Sequence, residues 1–146
     1  MKTTLILLMI MCFISMAHGQ LSTGKILNLL IGTYTSPGKS EGIYVYTFNT
    51  ETGEFSYKSE AKGIKNPSYM VVSRDRKHVY SVSEQGSGQG SVTAYAFDAP
   101  SGKLTFVNDV NAGGDGPCYV SVDDQNKFVF VAYYDGGSLS AILIKA

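Results

Sequence analysis

Two stretches of this chain are near copies of each other, and this repeat constrains the fold more than any other feature. Residues 66–84 (NPSYMVVSRDRKHVYSVSE) are closely matched by residues 116–134 (GPCYVSVDDQNKFVFVAYY). The proline and the tyrosine of the first copy, Pro67 and Tyr69, recur 50 positions later as Pro117 and Tyr119. The segments before each copy repeat as well, because residues 43–55 (IYVYTFNTETGEF) align with residues 92–104 (VTAYAFDAPSGKL). A fixed period of about 50 residues predicts stacked copies of one structural unit.

The repeated unit contains strand and turn patterns, and no helical periodicity follows Lys25. The apolar runs are rich in β-branched and aromatic residues, and glycine, proline, asparagine and aspartate separate them. Several strands in each unit of this length are typical of propeller blades. We therefore predict an all-β fold of four-stranded antiparallel blades. The predicted strands are residues 27–34, 43–48, 54–60, 68–72, 78–83, 91–97, 103–110, 118–122, 128–132 and 139–144.

These strands amount to about two and a half blades. A propeller closes with about four to eight blades, and an open ring leaves strand edges exposed. The chain is therefore expected either to be a fragment of a longer reading frame or to associate with something that completes the ring, such as another copy. The fragment interpretation is favoured.

The N-terminus carries a pattern typical of a secretory signal peptide. Lys2 precedes the apolar residues 5–16, and Ala17 and Gly19 supply the small residues that a signal peptidase requires. We predict that residues 1–19 are removed, so the chain is exported to the periplasm or secreted, and that residues 20–146 form the partial propeller domain. The alternative is an uncleaved membrane anchor.

Charge and residue counts exclude several classes of function. Without Lys2 the chain has 11 basic and 12 acidic residues in no cluster, so no nucleic-acid partner is expected and, after signal cleavage, no membrane partner. Only Cys118 and His78 remain of their types, which is too few for a disulfide, a zinc site or a histidine-based triad. No metal and no cofactor are predicted.

Meander topology predicts where a site would lie. The loop after the second strand of a blade and the loop before its first strand emerge on the same side, so polar residues at these positions converge on one rim beside the channel, a common place for a ligand site. The candidate catalytic residue is Glu84, as a general base that activates water. The candidate substrate-binding residues are Tyr34, Asn66, Ser68, Asp115, Cys118, Tyr133 and Tyr134.

Each candidate also has a simpler structural interpretation. Glu84 could be a solvated loop glutamate beside the glycine-rich residues 86–90. Asp115 could bond nearby backbone amides within a turn, and the tyrosines could pack in strands. The acidic residues 123–126 lack the pattern of a calcium loop and are expected to form a plain turn.

At this level of detail the chain resembles the lactonase family of seven-bladed β-propellers, which includes 6-phosphogluconolactonase and carboxymuconate cyclase. The resemblance covers almost all of residues 20–146 but only about the first third of such a propeller. It rests on motifs at residues 31–35 (IGTYT), 41–46 (EGIYVY), 51–53 (ETG), 66–69 (NPSY), 81–84 (SVSE), 113–118 (GGDGPC) and 136–140 (GGSLS).

The resemblance implies hydrolysis of a sugar lactone by activated water, with a small-molecule sugar lactone as the partner and no cofactor. Two positions depart from the family pattern: Tyr119 stands where histidine is common, and Tyr133 stands where asparagine is common. These departures support an alternative, a non-catalytic propeller module that binds a carbohydrate or a protein partner.

Overall fold

The computed structural model describes residues 24–145, and the predicted signal peptide lies outside this part of the chain. All ten predicted strands are present, so the all-β prediction is confirmed. None of the described residues forms a helix that is long and apolar enough to cross a membrane. The strands are β1 (Ile26–Gly32), β2 (Gly42–Asn49), β3 (Phe55–Lys62), β4 (Met70–Val72), β5 (His78–Ser83), β6 (Ser91–Asp98), β7 (Lys103–Asn111), β8 (Pro117–Val122), β9 (Phe128–Tyr133) and β10 (Ser138–Leu143).

The strands form three antiparallel sheets, which we call blades 1, 2 and 3. Blade 2 has the order β4-β5-β6-β7, whereas blade 1 contains β1-β2-β3 and blade 3 contains β8-β9-β10. The repeat aligns β1 with β5 and β8 with β4. Within residues 24–145, blade 1 therefore has no counterpart of the innermost strand β4, and blade 3 has none of the outermost strand β7.

Strand β5 lies between two cores because its alternate residues face different neighbours. Val79 packs with Ile43 and Val45 in the apolar cluster that joins blades 1 and 2. Tyr80 and Val82 pack instead into the cluster that joins blades 2 and 3. Five of its six residues are consequently buried, and these include the serines Ser81 and Ser83.

The structural repeat extends to an irregularity in the sheets. The register of β2 and β3 shifts between Val45 and Tyr46, and that of β6 and β7 shifts between Ala94 and Tyr95, 49 positions later. A β-bulge of this kind increases local twist and changes the direction of a side chain. Because the bulge recurs at the same place, blades 1 and 2 carry the same exposed aromatic position on their outermost strands.

Most strand boundaries differ from the predicted ones by one or two residues, and two of these differences involve candidate site residues. Strand β1 ends at Gly32 rather than at residue 34, since the Thr33 hydroxyl donates to the Gly42 carbonyl and starts a loop. Strand β4 begins at Met70 rather than at residue 68, because the Ser68 amide donates to the Asn66 carbonyl and closes a tight turn. Both corrections transfer candidate residues from strands into rim loops.

Gly32 is required where blades 1 and 2 approach most closely. A Cβ atom at this position would lie 1.9 Å from the carbonyl oxygen of Pro67. No side chain fits at that distance, so glycine allows the end of β1 to pack directly on the turn that leads into β4.

Candidate functional site

The rim prediction brings Tyr34 and Glu84 together across the boundary between blades 1 and 2. The Tyr34 hydroxyl donates a hydrogen bond of 2.8 Å to Oε2 of Glu84. Tyr34 follows β1 and Glu84 follows β5, so the two residues occupy equivalent positions of successive blades, 50 residues apart. A phenol and a carboxylate are thus paired at one mouth of the partial ring.

The electrostatics of the pair follow from this contact. The hydrogen bond to the Glu84 carboxylate raises the pKa of the Tyr34 phenol above 10.0, and burial and the carboxylate's charge act in the same direction. The phenol therefore remains protonated at neutral pH and holds the carboxylate in one orientation. Tyr34 is 58% exposed, so the pair remains accessible to a ligand.

Ser68 and Cys118 lie beside this pair on the channel side. The Ser68 hydroxyl opposes the rise in the Tyr34 pKa, and the Cys118 thiol adds a small contribution to the rise. The Ser68 oxygen is buried, but no group within residues 24–145 satisfies it with a hydrogen bond. The Cys118 sulfur is only half-buried and faces the Ala132 carbonyl at 3.6 Å. Two further polar side chains thus lie near Tyr34.

Asn66 holds the rim together. Its side-chain oxygen accepts hydrogen bonds from the amides of Thr35 at 3.0 Å and Ser36 at 3.1 Å, while its side-chain nitrogen donates to the Glu84 carbonyl at 3.2 Å. The residue also adopts a left-handed conformation with φ of 45°. Asn66 therefore positions the loops that carry Tyr34 and Glu84, and its amide group is already occupied.

Asp115 has a similar connecting role between blades 2 and 3. Its Oδ1 accepts a hydrogen bond of 2.8 Å from the Gly88 amide, which fixes the glycine-rich loop of blade 2. The Asp115 carbonyl also accepts a bond of 3.3 Å from the Gly136 amide. This carboxylate therefore binds a backbone amide of another blade, 27 positions away, rather than an amide within its own turn.

The two adjacent tyrosines of blade 3 have opposite environments. Tyr133 is 4% exposed, belongs to the core between blades 2 and 3, and donates its hydroxyl to the Ala112 carbonyl. The expectation that Tyr133 contacts a sugar is therefore corrected, because its ring packs on Gly114 and its polar atom is used internally. Tyr134 is 82% exposed on the rim, as expected.

A close aromatic pair beside the inner strands was not among the predicted site residues. The rings of Tyr69 and Tyr119 have centroids 4.8 Å apart with planes inclined by 43°. They are 43% and 46% exposed, and each directly follows a predicted site residue, Ser68 or Cys118. The sequence contained the signal, since these tyrosines are 50 positions apart, but the repeat alone did not reveal that their rings meet.

No metal centre is evident in this part of the molecule. Residues 24–145 contain no group of three or more histidine, cysteine, aspartate or glutamate side chains placed to share an ion. The rim carries a carboxylate, a phenol, a hydroxyl and a thiol, with the rings of Tyr69 and Tyr119 nearby. A carboxylate in such a setting can accept a proton from water.

Successive antiparallel blades of three or four strands, with polar groups gathered at one mouth, are typical of a β-propeller. The family described as "Lactonase, 7-bladed beta-propeller" matches residues 28–146, and the chain belongs to that family. It is 44% identical over 109 residues to 6-phosphogluconolactonase of Bacillus subtilis, covering 75% of this chain and 31% of that protein. A 6-phosphogluconolactonase of Formosa agariphila is 34% identical, with 77% and 32% covered.

Solved structures agree with this assignment. A Bacteroides fragilis protein, provisionally named a 6-phosphogluconolactonase, superimposes with a TM-score of 0.78 at 43% identity over 85% of this chain and 34% of that one. The periplasmic gluconolactonase of Pseudomonas aeruginosa gives 0.74 at 35% identity, with 84% and 36% covered. The chain spans about a third of the length of these relatives, as the first-third resemblance predicted.

Proposed function

We propose that this chain supplies the first blades of a propeller that hydrolyses a sugar lactone. The observation that carries the proposal is the 2.8 Å hydrogen bond between Tyr34 and Glu84, which orients a carboxylate at the rim of a lactonase-family fold. Family membership supports the reaction class, and the geometry supports the choice of base.

In the proposed reaction the Glu84 carboxylate accepts a proton from water as the water oxygen attacks the lactone carbonyl carbon. The tetrahedral intermediate collapses with cleavage of the ring carbon–oxygen bond, and the departing alkoxide recovers the proton from Glu84. The products are the hydroxyl and carboxyl groups of the open sugar acid. Tyr34 orients the carboxylate, and Asn66 and Asp115 hold the loops.

Substrate contacts are assigned to the groups around this carboxylate. Ser68, with its unsatisfied hydroxyl, Cys118 and the exposed Tyr134 are proposed to bind sugar hydroxyl groups. The half-exposed rings of Tyr69 and Tyr119 are proposed to contact the carbon–hydrogen face of a sugar. No cofactor is required for this chemistry.

We propose a lactone without a phosphate group as the substrate. The Glu84 carboxylate pairs with the neutral Tyr34 phenol rather than with a cation. The proposed export of the chain, with cleavage after Gly19, also disfavours a phosphorylated cytoplasmic sugar. A neighbour named a periplasmic gluconolactonase supports both points. Mass spectrometry of the exported chain should find Gln20 at its N-terminus, whereas an intact Met1 would contradict export by this signal.

The activity is tested in a closed ring. The chain is grafted in place of the matching segment of the Bacillus subtilis relative, and hydrolysis of gluconolactone and of its 6-phosphate is followed by acid release. We expect a faster reaction with gluconolactone. Glu84→Gln should lower the rate by roughly 100-fold or more, because a general base contributes that much. Glu54→Gln, an exposed turn glutamate, is the matched control.

Two results would redirect the proposal. If the grafted ring hydrolyses lactones equally well with Glu84→Gln, the base is another residue. If the ring binds gluconolactone but opens neither substrate, the alternative function is supported. The departures from the family pattern at Tyr119 and Tyr133 would then mark a binding module rather than an enzyme.

A further inference from the structure

A second cleft opens between blades 1 and 2, away from Tyr34 and Glu84. Its volume is about 510 Å³, which falls within the range of small-molecule sites. Ser83 and Gln85 line it, whereas Glu84 between them bonds to Tyr34 instead. The cleft and the proposed catalytic group therefore lie on opposite sides of the same stretch of chain. Both walls of the cleft belong to blades 1 and 2 and to the segment that joins them.

The cleft occupies only one part of the boundary between blades 1 and 2. Farther along, Lys58 donates to Asn28 at 2.7 Å and to the Ala99 carbonyl at 3.1 Å, and Ser59 donates to the Gly102 carbonyl at 2.7 Å. The Lys58–Asn28 bond lies within blade 1, whereas the bonds to the Ala99 and Gly102 carbonyls connect the two blades directly. The blades thus meet at one part of their boundary and leave a space at the other.

Asp109 is held in the cleft by groups with no other evident role. Its Oδ1 accepts hydrogen bonds from the Ser91 hydroxyl at 2.8 Å and from the Thr93 hydroxyl at 2.6 Å. Both donors are buried, at 8% and 4% exposure. The second carboxylate oxygen receives no hydrogen bond from residues 24–145. A strong acceptor is thus fixed in orientation and left available to a ligand.

Gln85 is arranged in the same way. Its side-chain nitrogen donates to the Ser83 hydroxyl at 3.0 Å and to the Gln89 carbonyl at 3.3 Å, which leaves the amide oxygen unused within the described residues. The cleft therefore contains two oriented acceptors on blade 2.

The remaining walls supply a flat apolar surface and a balanced charge. The Phe106 ring is 61% exposed and packs edge-on against Tyr95, with centroids 6.3 Å apart. Lys62 is paired with Glu60 at 2.9 Å, so Lys65 and Asp109 are left as charges of opposite sign. An uncharged ligand fits such a cleft better than an ion.

We propose that this cleft is a second binding site, for a neutral carbohydrate. Sugar hydroxyls donate to Asp109 and Gln85 and accept from Lys65, while the carbon–hydrogen face of a pyranose lies on the Phe106 ring. The site is separate from the proposed hydrolytic centre and requires no reaction there. It would hold the protein on a glycan.

The test measures binding of maltose, a neutral disaccharide, to residues 20–146 by saturation-transfer NMR. Saturable binding is expected. Asp109→Asn and Phe106→Leu should each weaken it roughly tenfold, since a hydrogen bond to a charged group contributes about 1.5–3 kcal/mol, equivalent to a tenfold or greater change in Kd. Asparagine retains an acceptor for Ser91 and Thr93, so the fold is expected to persist, and a thermal melt verifies this.

Tyr57→Leu is the matched control for Phe106. Tyr57 occupies the equivalent outer-strand position of blade 1, is 57% exposed and packs edge-on against Tyr46, but it does not line the cleft. It should bind maltose like the unmodified chain, and so should Glu84→Gln. The proposal fails if maltose shows no saturable binding or if folded Asp109→Asn and Phe106→Leu bind it unchanged. Loss of binding in Glu84→Gln would place the ligand at the channel mouth, which rejects the cleft and leaves the hydrolytic proposal intact.

Discussion

Asn66 connects two blades through one small side chain. Because its four side-chain hydrogen bonds and its left-handed backbone serve the same turn, we expect Asn66→Ala to lower the free energy of unfolding by about 3 kcal/mol. Asn66→Gly loses the same bonds but tolerates the backbone conformation, so it should lose less. Urea denaturation of both variants provides the measurement. Equal stabilities would show that the left-handed conformation contributes nothing.

Tyr34 reports on the state of Glu84. Its raised pKa has the hydrogen bond to that carboxylate as its largest cause, so Glu84→Gln should return the phenol towards its ordinary value of 10.0. Tyr80 and Tyr95, whose pKa values are raised first by burial, serve as internal controls and should not change. Titration of tyrosine ring carbons by NMR would follow each residue.

The direction of the Tyr34 pKa shift determines how the stability of the protein depends on pH. A raised pKa in the folded state stabilises the protein fully below pH 10.0, and the stabilisation disappears as the pH rises through the folded value. The unmodified chain should therefore lose this contribution only in alkaline solution. A Tyr34 pKa that stays raised in Glu84→Gln would mean that burial, rather than the carboxylate, controls the phenol.

At the scale of elements, the turn before β9 depends on one carboxylate. Asp123 accepts hydrogen bonds from the amides of Lys127 and Phe128 at 2.6 and 2.7 Å, and the bond from Phe128 is the largest cause of its lowered pKa. This interaction is present above the ordinary value of 3.8 and is lost as the pH falls through the lowered pKa. Stability should therefore decrease in acid.

Asp123→Asn should be less stable than the unmodified chain at neutral pH and should show a smaller decrease below about pH 3.8. Urea midpoints across this range would measure both effects. Asp124→Asn is the neighbouring control, because Asp124 is 88% exposed and forms only a surface pair with Arg74. A parallel acid response in Asp123→Asn and the unmodified chain would contradict the prediction.

The strands were predictable because the pattern that indicates each strand lies within the strand and its flanking turns. Alternation, β-branched residues and flanking turn residues act within a few positions, and β5 (His78–Ser83) was predicted with its observed bounds. The boundaries of β1 and β4 were less accurate, because they are set by bonds of Thr33 and of the Ser68 amide to groups outside the apolar runs. Local patterns contain no information on such partners.

At the scale of the molecule, the repeat predicted which residues share a rim but could not predict which of them face inward. Tyr133 and Tyr134 are adjacent and chemically alike, yet one is in the core and one is exposed. The cleft around Asp109 was missed entirely, because it depends on two blades separating at one part of their boundary. Relative orientation of blades is a tertiary property that a single sequence does not encode in any short pattern.

Exposed apolar residues at incomplete blades should cause association of the isolated chain. Leu139 of β10 is 76% exposed, and its strand has no outer neighbour within residues 24–145. Leu139→Lys should reduce the mass that light scattering measures for residues 20–146, because charge on an edge strand opposes edge pairing. Val107→Lys, at 53% exposure on the four-stranded blade 2, should leave the mass unchanged. A monomer at all concentrations would refute this expectation.

The rim positions 34, 84 and 134 have a consequence for how this molecule can change over generations. In blades 2 and 3 the backbone amides of Glu84 and Tyr134 make the same bond, to the carbonyls of Asn66 and Gly116 at 3.0 and 2.9 Å. Because the backbone amide alone makes this bond, the fold places no requirement on the side chain at this position. Duplicated units can therefore acquire different side chains at this position without losing their fold. The carboxylate of blade 2 and the phenols of blades 1 and 3 are an example of such divergence.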